Sequence, residues 1–147
     1  IFFVNLAWFQ TLPFDTRSYM LDTYFAFNHE DISRIIEVIG ESGRSAYITA
    51  MYTIDLAFPI IYTCLSLGVM HKLRTSELLY LLPIALFTAD IVQNIQTAII
   101  MTHSSVSDIS SGQIVLASIT NQLKWSLAFL MISTIIILTL KNLIFKR

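Results

Sequence analysis

The sequence predicts an all-α, polytopic transmembrane bundle of four spanning helices, the first truncated, with a short amphipathic helix in the outer loop. Three observations carry that expectation. Hydrophobic residues make up 55% of the 147 residues and charged residues only 13%, about half the charged share of an ordinary soluble domain. The apolar residues gather into runs long enough to cross about 30 Å of hydrocarbon. Each complete run carries a single formal charge: Asp55, Asp90 or Lys124. Short links between the runs leave no room for a second core, so residues 1–147 are expected to form one domain.

The first element is the apolar stretch at 1–12, IFFVNLAWFQTL. Twelve helical residues reach only about 18 Å, so it reads as the exit of a longer helix that Pro13 ends, with Trp8 at the interface. Residues 13–44 mix charges and aromatics and read as an outer, extramembrane connection. Within it, Asn28 and Asp31 have the spacing of a capping box, and Ile32, Ile35, Ile36 and Ile39 recur at helical period until Gly40. A short amphipathic helix over 29–39 is the product.

The second spanning helix is expected at 45–70, with Pro59 inside it. Proline lacks an N–H and clashes with the preceding turn, which frees the Asp55 carbonyl and predicts a kink beside that carboxylate. The link 71–77 carries Lys72 and Arg74. A third helix at 78–102, a polar Ser-rich link at 103–112 and a fourth helix at 113–140 follow, before a tail with Lys141, Lys146 and Arg147. The positive-inside rule puts loop 71–77 and the C-terminus on the cytoplasmic side, and loops 13–44 and 103–112 opposite.

Composition excludes several functions. The net charge of −1 comes without any basic run, so a nucleic-acid partner is not expected. Cys64 is the single cysteine, which rules out an intrachain disulfide and cysteine-based metal ligation. His29, His71 and His103 fall in separate links, no phosphate-binding glycine loop or HExxH occurs, and no cofactor is indicated.

The chemistry instead gathers at mid-membrane. Counted from the helix ends at 1.5 Å per residue, Asp55, Asp90 and Lys124 all lie about 15–18 Å deep. Three such charges facing lipid would cost on the order of 9 kcal/mol, so they must face one another or water. Gln93, Asn94 and Thr97 share the Asp90 face, and Gln113, Thr120 and Asn121 share that of Lys124. Tyr52 and Tyr62 flank Asp55, within reach of its carboxylate or carbonyl. Leu127, Ala128 and Met131 continue the Lys124 face inward. A cavity open on the outer side and closed on the cytoplasmic side follows. Arg44 stands at its mouth, where it could clamp an anion or act as a snorkelling anchor.

The strings GESGRSAY, DLAFPIIY, ADIVQN and NQLKW resemble the pattern of a group of small four-helix integral membrane proteins without an established activity. The resemblance covers most of the chain from Asp15 onward. It picks out Arg44, Tyr47, Asp55, Pro59, Tyr62, Asp90, Asn94, Lys124 and Trp125, and it implies an architecture rather than a reaction.

The favoured function is a noncatalytic structural or accessory subunit of a membrane assembly, with lipid bilayer and other membrane subunits as partners. The alternative is a binding or transport module for a cation, proton or small polar ligand. A lipid-headgroup enzyme stands third, because no nucleophile and base announce themselves.

Overall fold

The structure is a computed structural model that describes residues 20–145. The expected end of a first helix at 1–12, with Trp8 and Pro13, lies outside the described residues. Every regular element among them is helical: α1 (His29–Tyr52), α2 (Ile54–Lys72), α3 (Leu81–Thr102) and α4 (Ser111–Phe145), with short 3-10 turns at Leu21–Thr23, Glu77–Tyr80 and Val106–Asp108. Three stretches are long and apolar enough to cross a membrane: His29–Lys72, which takes in α1 and α2, then Glu77–Thr102 and Ser111–Ile144.

Local chemistry sets the ends of these elements. The Asn28 side chain accepts from the Glu30 and Asp31 amides at 2.8 and 3.1 Å, and Asp31 reaches back to the Asn28 amide at 3.0 Å, so the capping box is formed. From there Ile32, Ile35, Ile36 and Ile39 are buried while Glu30, Arg34 and Glu37 face outward. At Gly40 the backbone leaves the helix, with φ 61° and ψ −167°, a region open essentially to glycine alone. Pro83 sits in the first turn of α3, where its missing N–H costs nothing.

The second expected helix, 45–70, is broken. Thr53, at φ −117° and ψ −82°, separates α1 from α2, so the irregularity expected beside Asp55 falls two residues before it and six before Pro59. The hydroxyls of Thr49 and Thr53 bond back to the carbonyls four residues earlier, at 2.9 and 2.7 Å, an arrangement that bends helices. Pro59 continues α2 without ending it, and the Asp55 carbonyl that it frees accepts from Asn94 Nδ2 at 2.8 Å. One consequence is electrostatic. Asp55 now lies in the first turn of α2, where the helix dipole favours a carboxylate.

α3 is the hub: it packs against α4, α1 and α2, whereas α2 and α4 meet only lightly. Two apolar cores lie along it. One joins Leu21, Phe27 and the α1 isoleucines to Ile100, Met101 and Ile114; the other joins Met70, Leu86 and Met131. Between them α3 presents a polar layer of Asp90, Gln93, Asn94 and Thr97, all buried.

Alanine replacements separate the two uses of glycine. Gly40→Ala places a side chain on a backbone that rejects it and should cost about 1–3 kcal/mol. At Gly68 an added Cβ meets nothing within 4 Å, so Gly68→Ala should be neutral or stabilising by up to about 1 kcal/mol. Thermal unfolding of the purified variants checks both; equal effects would remove Gly40 as a backbone constraint.

Candidate functional site

The polar layer is assembled by α3. Asp90 Oδ1 is 3.3 Å from the Lys124 ammonium of α4, and Asp90 Oδ2 accepts the Tyr62 hydroxyl of α2 at 2.9 Å. Lys124 Nζ also donates to Gln93 Oε1 at 3.0 Å, and Gln93 Nε2 passes the chain on to Thr97 Oγ1 at 2.9 Å. The ammonium lies 5.9 Å from the Trp125 ring centre, within the range of a cation–π contact. Asp90 thus has a counter-ion and a hydroxyl donor, as a carboxylate out of water requires.

Beside this network lies a cavity of about 600 Å³, of the size that holds small-molecule ligands. Its polar end is lined by Asp22, Asp55, Asp90, Asn94 and Lys124. Phe58, Leu86, Ala128, Met131 and Ile132 line its apolar walls. The direction is the same on each helix: from Asp55 to Tyr62 on α2, from Asn94 back to Leu86 on α3, and from Lys124 to Ile132 on α4, lining passes from polar to predominantly apolar.

Asp22 is the residue that sequence reasoning missed. It belongs to the connection read as extramembrane, yet Met20–Asn28 is bound against the bundle. The Leu21 amide donates to the Tyr47 hydroxyl at 2.9 Å and the Phe27 amide to Ser118 Oγ at 3.1 Å. Trp125 Nε1 donates to the Asp22 carbonyl at 2.9 Å, and Asn121 Nδ2 donates to the carbonyls of Tyr24 and Phe25. A signal was available: between Arg17 and His29 the only formal charge is Asp22, set among Tyr19, Met20, Leu21, Tyr24, Phe25 and Phe27.

The expected site residues therefore divide. Asp55, Asp90, Lys124, Asn94 and Tyr62 meet around one cavity. Asn121 is fully buried, but its amide is spent on the 20–28 segment, of which Met20, Asp22 and Thr23 line the cavity. Tyr52 is 55% exposed on the far side of the Thr53 break. Arg44 is half-buried and lines no part of this cavity. Among the described residues no group of His, Cys, Asp and Glu is placed to hold a metal ion.

Asp22 Oδ1 is shut off from solvent and has no hydrogen-bond partner among the described residues. Burial pushes its carboxyl above the ordinary 3.8, and the Asp90 charge adds to the rise, while the Lys124 ammonium and the Tyr47 hydroxyl oppose it. Comparison with protein-family models, with curated proteins and with solved structures finds no match for this chain.

A raised folded-state value has a definite pH signature. Below 3.8 the carboxyl is protonated whether folded or not; as pH climbs toward the folded value the unfolded chain ionises first, and stability is lost. Asp22→Asn should therefore melt a few degrees higher than the native protein at pH 8 and show no such advantage at pH 3.5. An Asn variant less stable at pH 8 would mean that the ionised carboxylate is well compensated.

Proposed function

We propose that the chain is a noncatalytic, polytopic integral membrane protein whose charged layer frames a chamber for a small, positively charged ligand. The carrying observation is the lining of one cavity by three carboxylates against one ammonium. Lys124 is engaged by Asp90 and Gln93, and among the described residues that line the polar end carboxylates outnumber ammonium groups, a lining that suits a small cation. A metal ion is the poorer occupant, given the spacing of the acids among the described residues. An organic ammonium is the better one.

The membrane setting rests on the three long apolar stretches and on the side chains that α4 turns outward, among them Leu116, Ile119, Leu123, Leu130 and Ile137. In this reading the full bundle has four spans, as in the group of small membrane proteins that it resembles. His29–Ile39 is the amphipathic helix, with its isoleucines turned into the bundle. Lys72, Arg74 and the basic tail lie in the cytoplasm, and the His103–Ser110 link lies opposite.

A second reading, a structural or accessory subunit, is favoured by the same outward apolar face of α4, which a neighbouring subunit could cover. A lipid-headgroup enzyme is not supported, since Arg44, its phosphate clamp, stands away from the chamber.

Tetramethylammonium chloride is the direct probe. In lipid nanodiscs at pH 8, it should raise the Tm of the native protein above that seen in sodium chloride at equal ionic strength, by mass action on the folded state. The rise should vanish in Asp22→Asn/Asp55→Asn. No rise, or an equal rise in the double variant, would remove the ligand chamber and leave the structural reading.

A further inference from the structure

The chamber is longer than a small cation needs, and its two ends differ in kind. Along α2, α3 and α4 the lining changes over about eight residues, or about 12 Å of helix, from Asp55, Asn94 and Lys124 to Leu86, Met131 and Ile132. The apolar end runs into the core of Met70, Leu86 and Met131. A bare ammonium would leave that end without contacts.

We infer that the occupant is a cationic amphiphile, a molecule with an ammonium head and a linear apolar tail of about eight carbons. This rests on the chamber reading above and adds the tail. The head sits between Asp22 and Asp55, beside the Trp125 ring. Asp22 and Asp55 both line that end, so the head is held there by charge and by the face of the Trp125 ring. Lys124 stays on Asp90 and repels the head from the third carboxylate, which fixes the head toward the Leu21–Thr23 turn. The tail runs past Phe58 toward Ala128, Met131 and Ile132.

Binding of a fixed cation is linked to the ionisation of Asp22, which Lys124, Asp90, Asp55 and the Tyr47 hydroxyl surround. The ammonium favours the carboxylate, so affinity rises with pH until Asp22 is fully ionised in the unliganded protein. The steepest slope is tenfold per pH unit.

The test is a series of alkyltrimethylammonium ions, from methyl to octyl, titrated by calorimetry into the full chain in nanodiscs and corrected for empty nanodiscs. Against free aqueous concentration, affinity should climb by up to about fourfold per methylene. Octane-1-sulfonate and octanol, with the same chain, should bind at least tenfold more weakly than the octyl ammonium. Ala128→Phe, which fills the tail path, should flatten the chain-length dependence; should that variant fail to fold, the series on the native protein decides alone.

Equal affinity for tetramethylammonium and octyltrimethylammonium would overturn the amphiphile while keeping the cation chamber. Octanol or the sulfonate binding as tightly as the ammonium would overturn it too, since the slot would then ignore charge. Binding of neither ammonium would remove the chamber reading itself.

Discussion

Everything in this bundle depends on neutralising Asp90. A lone carboxylate in a low-dielectric interior costs several kcal/mol or more, and no packing of apolar side chains offsets that. The chain meets the cost with Lys124 from α4 and the Tyr62 hydroxyl from α2, so that one residue of α3 binds both flanking helices. Gln93 and Asn94, the next polar positions on that face, repeat the pattern, one toward α4 and one toward the Asp55 carbonyl of α2. Register between the three helices is thereby set by directional bonds, where sliding apolar surfaces would set it weakly.

Other features frame that layer. Apolar cores flank it on both sides, and the 20–28 segment is drawn onto α4 by Ser118, Asn121 and Trp125. These side chains satisfy backbone groups of an irregular segment, which could not otherwise be buried. The break at Thr53 turns one long helix into two and gives Asp55 the N-terminus of a fresh helix.

Much of this was legible in the residues. Helical period and the Asn28/Asp31 spacing locate the start of α1, and equal depth along the helices groups Asp55, Asp90 and Lys124, which line one cavity. The freed carbonyl at Asp55 was legible too, though its acceptor role toward Asn94 was not. What the pattern did not carry was tertiary. Asp22 reads as a loop charge because nothing local says that the loop folds inward. A kink beside Asp55 was legible, but it reads as Pro59's work because a proline's effect is strong and a threonine's back-bond is slight. Tyr52 joins the site by a helical spacing that assumes an unbroken helix, which the Thr53 break ends; Arg44 is placed at the mouth by a helix start at 45, whereas α1 starts at His29.

The claim that the Asp90–Lys124 pair sets the bundle is tested most directly by reversing it. Asp90→Lys and Lys124→Asp each bring like charges together and should lower the Tm severely or prevent folding. The double exchange restores opposite charges at the same spacing and should recover at least half of the lost stability, a coupling of about 1–3 kcal/mol in the double-mutant cycle. A double variant no more stable than the worse single one would contradict the account.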